Sequence, residues 1–382
     1  MSHDPSLIRS FALAGHGGSG KTHAADALAR LTGLNSRLGS PGDGTSLFDF
    51  EPEEQKRGGS ITSHLLTCEH VGYRYHVIDT PGDGNFLHDA RNSLQAVDAV
   101  VLVVSAVDGV EVSTERMSTA ASELGLPQAV FINKMDRERA DWQGAVSEIR
   151  DVLGMEPVML QIPIGSEDGF TGVVDLIERN AWMYSGDAGV CSKQAIPDDL
   201  AGEMETALEA LVESVAMADD HLVEKYLEDG ELSEEDVRAG LNKGIKAGTL
   251  CPVIVGSAAR NIGLDGLLRL AKAFPVPSSV SARAGTRAGS EDPVEIESDP
   301  GGPAAALCFK TVIDPFAGQI SLFRVLRGTI TSDSSLKNSR TSNNERLGTL
   351  FHVVGKKHSG TNGATVGEIF GVAKLRDTRT GD

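Results

Sequence analysis

Short apolar runs recur along the first two thirds of the chain, each followed by glycine or polar residues and then by a stretch of helical periodicity. Phe11-Ala12-Leu13-Ala14 leads through glycines into a helix-like run, His23 to Leu31. Tyr73 to Thr80 alternates apolar and polar positions, as a half-buried strand does. Ala99 to Val104 is continuously apolar, the pattern of a strand covered on both faces of a parallel sheet. Helix-like residues 112–124, a strand at Ala129–Ile132, a helix over Arg139–Leu153, a strand at Pro252–Val255 and a helix from Gly263 to Ala273 complete the series. Repeated strand–helix units predict a doubly wound α/β sheet.

Two stretches depart from this rhythm. About 157–249 lies between a helix and the last strand and reads as an inserted α+β subdomain. It starts with strand and turn, Val158 to Ile162 and Gly172 to Ile177. It continues with an apolar helical face, Leu200, Met204, Leu208, Leu211 and Val215, and a helix start at Ser233-Glu234-Glu235-Asp236. Residues 275–302, rich in Pro, Ser and Gly, read as a linker. From Ala304 onward, Ala305–Val312, Ile320–Val325, Gly328–Ile330, Arg346–Val354 and Gly367–Val372 are closely spaced short strands, which predicts a small closed all-β barrel. The expected division is 1–280, 281–302 and 303–382.

Composition narrows the function. Net charge is −19, with 35 basic against 54 acidic residues, which argues against a free-standing nucleic-acid binder. It leaves open docking on a ribonucleoprotein through a local patch. The four cysteines are scattered without a C-x-x-C, so reduced thiols are expected rather than disulfides or a metal cluster. No run approaches the roughly 18 apolar residues of a membrane span. The expected location is the cytoplasm, with no membrane and no DNA partner.

Gly15-His16-Gly17-Gly18-Ser19-Gly20-Lys21-Thr22 carries the chemistry. It has the form G-x-x-x-x-G-K-T between a strand and a helix, the context of a phosphate-binding loop. Glycines let backbone N–H groups turn inward around a polyphosphate, and the helix N-terminus adds partial positive charge. Lys21 is placed for the β- and γ-phosphates, and the Thr22 hydroxyl for Mg²⁺. Residues 36–63, with Arg57-Gly58-Gly59-Ser60-Ile61-Thr62, read as a glycine-containing loop that a γ-phosphate and Mg²⁺ could order; Ser60 or Thr62 could give the metal a hydroxyl. Asp79-Thr80-Pro81-Gly82 ends a strand. Asp79 can hold Mg²⁺ through water, and the Gly82 N–H can meet the γ-phosphate. Asn133-Lys134-Met135-Asp136 also ends a strand. The Asp136 carboxylate can accept N1–H and N2–H of guanine, a pair adenine lacks, and the Lys134 stem can lie along the base. Gly256-Ser257-Ala258 can offer backbone N–H groups to the guanine O6.

Together these motifs resemble the N-terminal part of translational GTPases of the elongation factor G type, most closely the elongation-factor-G-like paralogues with Gly-His-Gly-Gly-Ser-Gly-Lys-Thr in the loop. Phe309-Lys310, Asp314-Pro315-Phe316, Phe323-Arg324-Val325 and Gly328 are similar to the family's second, barrel domain, and Gln161 to Gly165 to its inserted subdomain. The resemblance runs from about residue 8 to the last residue. It implies a P-loop GTPase fold with a barrel behind it, GTP and GDP as ligands, Mg²⁺ as cofactor, stimulation of hydrolysis on the ribosome (rRNA and ribosomal proteins), and a monomer. Members continue into three further domains. The chain is therefore expected to be a truncated piece, or to have lost them, and to bind nucleotide without translocating.

Three departures bear on mechanism. The family's water-orienting histidine aligns with Asp83, its phosphate-loop aspartate with Gly18, and its metal-binding threonine with Ser60. The candidate catalytic set is Asp83, Lys21 and His16. An ionised Asp83 would repel the γ-phosphate and cannot donate a hydrogen bond, so slow hydrolysis is expected. The alternative is a GTP-regulated binding switch that turns over little. A P-loop ATPase is disfavoured by Asp136.

Overall fold

The computed structural model describes residues 4–277, 283–286, 292–314 and 317–382. Pro315, Phe316 and parts of the 275–302 linker lie outside the described residues.

A central sheet runs through the first domain. Its strands are β1 (Ile8–Ala14), β2 (His64–His70), β3 (Tyr73–Asp79), β4 (Ala99–Ser105), β5 (Gln128–Asn133), β6 (Pro157–Met159) and, after an insertion that holds β7 to β10, β11 (Cys251–Val255). Their order is β2-β3-β1-β4-β5-β11-β6, parallel throughout except for β2, which pairs antiparallel with β3. Every residue of β1, β4 and β5 is buried, which explains the apolar runs Phe11–Ala14, Ala99–Val104 and Ala129–Ile132 within them. Helices α1 (Lys21–Leu31), α2 (Pro52–Arg57), α3 (Leu87–Leu94), α4 (Val112–Glu123) and α5 (Trp142–Leu153) lie between these strands in sequence. The consequence for function is topological. The phosphate loop, Asp79, Asn133 and Gly256 all lie at the carboxyl ends of parallel strands, so one edge of the sheet collects them.

The insertion carries a second, antiparallel sheet, β7 (Gln161–Ile164), β8 (Gly172–Asp175), β9 (Asn180–Ser185) and β10 (Val190–Gln194), in the order β10-β9-β8-β7. Helices α6 (Ala201–Met217), α7 (Asp220–Asp229) and α8 (Glu234–Ala247) follow it, and α9 (Leu264–Ala271) comes after β11. Ser233 caps α8 in a capping box with Asp236. The run Val158–Ile162 reads as one strand in the sequence but serves two sheets. β6 pairs with β11, β7 pairs with β8, and Leu160 between them donates its N–H to Val253 and accepts from Leu176. A single alternating pattern cannot reveal a change of partner within it.

Two other differences matter more to the site. The 36–63 stretch is not all loop: α2 forms inside it, with Pro52 in its first turn and a Glu51/Glu54 capping box. The strand β2 follows directly and was not legible, because His64, Thr67, Glu69 and His70 interrupt its apolar residues although most of it is buried. The linker, too, contains a strand pair, Arg283–Thr286 against Pro293–Ile296.

In the second domain, Ala305–Asp314, Gly318–Arg327, Ile369–Ala373, Leu350–Val354 and Lys357–Thr361 pair antiparallel in that order around Phe323, Val325, Leu350, Phe370 and Val372. The predicted Arg346–Val354 strand is divided between Asn344–Arg346 and Leu350–Val354. The two domains are fastened along one seam. Val354 pairs with Leu66 of β2. Arg324, 2% exposed, donates to Ser10 Oγ at 2.6 Å and to Asp98 at 2.5 Å. A buried guanidinium is tolerated there because it is paired and hydrogen-bonded. No helix among the described residues is long and apolar enough to cross a membrane.

Candidate nucleotide-binding site

The site is built from four strand ends. After β1 the chain turns sharply through Gly15–Gly20 and enters α1, whose N-cap is Gly20 in the left-handed region at φ 99°. No side chain caps this helix, which leaves its first N–H groups facing the loop. A side chain at Gly20 would collide with the Asn133 amide, and one at Gly82 with Lys21 Nζ and the backbone of His16 and Gly17. Only glycine permits these approaches. Gly18 sits at φ 84°, so the aspartate that the resemblance implies for this position would occupy strained backbone.

Asn133 is the hinge between the loop motifs. Its Nδ2 donates to the Ser19 carbonyl at 2.8 Å, and its Oδ1 accepts from the Ala258 N–H at 2.9 Å. One buried amide thus fixes the phosphate loop against Gly256-Ser257-Ala258. Gly256 donates to Ile132 and accepts from Met135, and Ser257 closes its own turn with Ile262. Lys134 adopts φ 67° and donates to Asp108 at 2.9 Å. The Asp136 side chain is 12% exposed, with Arg137 Nε 3.8 Å away, too far for a hydrogen bond.

At the opposite end, Lys21 is 5% exposed and donates to the His16 carbonyl at 2.6 Å. Burial pushes its ammonium down to about 8, opposed by Asp79, Asp49 and Glu111. Asp79 is 1% exposed, and neither carboxylate oxygen is hydrogen-bonded. Burial, with Asp49 nearby, raises its pKa well above the usual carboxylate range, against the pull of Lys21 and Thr22. The Thr22 and Ser60 hydroxyls lie 3.0 Å apart, and Ser60 donates to Asp49 at 2.7 Å. A buried carboxylate with neither oxygen hydrogen-bonded, next to the Thr22 hydroxyl that Ser60 in turn approaches, is a hard-oxygen donor set and fits Mg²⁺. Of the two hydroxyls open in the sequence reading, Ser60 is the one beside Thr22; Thr62 bonds elsewhere.

His16 and Asp83 are engaged away from these groups. The His16 N–H donates to Thr114 Oγ1 at 3.1 Å, its Nδ1 accepts from the Ser113 N–H, and its Nε2 is 3.4 Å from Glu111. The ring thus faces the start of α4. Asp83 caps the turn Gly84–Phe86 by accepting from Asn85 at 2.8 Å, and its other oxygen pairs with Arg57. The Asn85 N–H, then Arg57, hold this carboxyl below its ordinary pKa. Arg57 also lies over the Phe86 ring, 5.1 Å from its centre.

Sequence reasoning missed several residues that hold this end together. Glu54, 1% exposed, accepts from the Ile61 and Thr62 N–H groups and faces His64 Nε2 at 3.0 Å. Its capping-box spacing from Glu51 was the available signal. Asp49 and Asp89 had none, and Lys310 stood out only as part of the barrel pattern, because its role depends on a contact with Asp89 across 221 residues.

Residues 6–276 match the family described as the elongation factor Tu GTP binding domain, and residues 303–382 the one described as elongation factor G domain 2. A crystal structure of a Thermus thermophilus protein is similar over 98% of this chain and 54% of that one, at 30% identity and a TM-score of 0.86. The chain therefore spans about half the length of that protein.

Proposed function

The chain belongs to the elongation factor G-like translational GTPases, and from that premise we propose that it binds GTP and GDP with Mg²⁺ and hydrolyses GTP in response to the ribosome. The observation that carries this reading is the Asp79 carboxylate, buried without a hydrogen bond beside Lys21, Thr22 and Ser60. Such a group is costly when left unpaired, and a bound cation offsets that cost. Bound there, Mg²⁺ would neutralise charge on the β- and γ-phosphates. Lys21 exchanges its bond to the His16 carbonyl for phosphate oxygens. Thr22, Ser60 and Asp79 present the oxygens for the metal, and the backbone of Gly15–Gly20 wraps the polyphosphate. Asp136 takes the two guanine N–H groups, and Ala258 and its neighbours meet the O6. Residues 1–280 act as the nucleotide domain and 303–382 as the barrel that rides on it, in a cytoplasmic monomer.

A second reading rests on Asp83. Where relatives place a histidine, the carboxylate is neutralised by Arg57 and cannot donate to an attacking water. This favours a slow switch that signals by nucleotide state rather than by turnover. Single-turnover hydrolysis with and without ribosomes separates the two, using this chain and a protein that carries the further domains. Stimulated phosphate release supports the enzyme reading; tight GTP binding without it supports the switch.

A further inference from the structure

Lys310 belongs to the barrel domain, yet it ends among the nucleotide loops. It is 6% exposed, and its Nζ donates to both Asp89 oxygens, at 2.9 and 3.0 Å, and to Thr62 Oγ1. A register shift between Cys308 and Lys310 in the strand Ala305–Asp314 re-aims the side chain out of the barrel ladder. Asp89 lies on α3, just beyond Asp83 on the second nucleotide loop, and accepts the Ser63 N–H at 2.6 Å. Lys310 therefore joins three parts: the barrel, the helix after the Asp79–Gly82 motif, and the end of the loop that carries Ser60. Residues 60–63 are held at successive points, Ser60 by Asp49 and Thr22, Ile61 and Thr62 by Glu54, and Thr62 and Ser63 by Lys310 and Asp89. If the loop withdrew, Lys310 would keep Asp89 but lose the Thr62 oxygen, and Asp89 would lose the Ser63 N–H, each a buried hydrogen bond.

We propose that Lys310 is a positioning residue through which the barrel holds Ser60 in place for the γ-phosphate and Mg²⁺, so that the barrel favours the triphosphate state over the diphosphate. The inference rests on the guanine-nucleotide reading above. Its logic is linkage. A contact made only when the loop is ordered binds the two nucleotide states differently, and a differential contact shifts the equilibrium between them. Reciprocally, the triphosphate tightens the barrel against the nucleotide domain. Not every contact in the seam behaves this way. Arg74, which pairs with the buried Glu368, joins the domains without touching either loop and serves as the control.

The test is the affinity of a non-hydrolysable GTP analogue and of GDP, with Mg²⁺, for wild type, Lys310→Met, Asp89→Asn, their double variant, Thr62→Val and Arg74→Gln. Lys310→Met should weaken the triphosphate analogue about tenfold and GDP less than about twofold. Asp89→Asn should do the same, and the double variant should be no worse than either single one. Thr62→Val, which leaves no buried charge unpaired, should shift the ratio about threefold in the same direction even if Lys310→Met folds poorly. Arg74→Gln should lower the melting temperature and leave the ratio alone. Equal weakening of both nucleotides, or a melting shift with an unchanged ratio in Lys310→Met and Thr62→Val, overturns the proposal while the nucleotide reading stands. A wild-type protein that binds neither nucleotide overturns both.

Discussion

The two ends of the nucleotide site differ in how their polar groups are satisfied. At the guanine end the main scaffold groups are bonded, with the buried Asn261 Oδ1 the exception. Both ends of the Asn133 amide are bonded, Ser257 is closed on Ile262, and Lys134 is paired with Asp108. Asp136, the group that reads the base, is left without a close partner in that frame. At the γ-phosphate end the groups themselves are out of balance. Lys21 and Asp79 are buried with pKa values displaced by burial, the Asp79 oxygens are unbonded, and Asp26 behind the loop has an unbonded oxygen too. The contrast separates two designs: a rigid reader of fixed shape, and a set of charges whose stable arrangement requires the ligand. Gly18, Ser60 and Asp83, the positions at which the resemblance implies departures, all fall at the second end.

The largest test of the contrast is at the rigid end. Asp136→Asn should cut GTP affinity at least about a hundredfold, because a buried reader that no longer accepts two N–H groups leaves them unpaired. The fold, read by circular dichroism and melting temperature, should be unaffected, since the nearest cation to the Asp136 carboxylate, Arg137 Nε, is 3.8 Å away, beyond hydrogen-bond reach. A melting shift in place of an affinity loss would place Asp136 in the scaffold. Next is Asp83→His, which releases Arg57 and supplies a donor for water. Ribosome-stimulated turnover in a protein carrying the further domains should rise about tenfold or more. Unchanged turnover would show that Asp83 does not limit the reaction.

A third test reads stability rather than nucleotide and concerns Asp26. Burial raises its pKa to about 6, against the hydrogen bond from the Leu47 N–H. A folded pKa above the unfolded value of 3.8 means the native state prefers the protonated acid. Its contribution to stability is therefore present below about pH 4 and lost as pH rises to about 6. Asp26→Asn should match wild type in acid and gain up to about 3 kcal/mol through that window, level above it. Chemical denaturation at several pH values reads this directly. A difference that grows in the opposite sense would mean the Asp26 charge is used by the loop it touches.

Much of the rigid end was legible in the sequence. β1, β4, β5 and β11 announce themselves as apolar runs, and each motif sits at a strand end, where parallel topology must bring it to one edge. The adjustable end was less so. β2 carries two histidines and a glutamate, and its burial depends on packing that periodicity does not encode. The α2 helix hides in a polar stretch whose only signal is Glu51-Pro52-Glu53-Glu54. The partnership of Asp83 with Arg57 needs two loops in contact, and that of Lys310 with Asp89 needs two domains. Side-chain pairing across such distances follows from the fold and cannot be read from spacing.

The central claim is that the unbalanced end is a Mg²⁺-nucleotide site. Its most direct test is calorimetric titration of GTP, GDP and ATP into the nucleotide-free chain, with and without Mg²⁺. Tight GTP and GDP binding, weak ATP binding, and a loss of GTP affinity on removing Mg²⁺ that Asp79→Ala reproduces without further sensitivity to the metal are expected. GTP binding equal to ATP binding, or indifferent to Mg²⁺ and to Asp79, would contradict that claim.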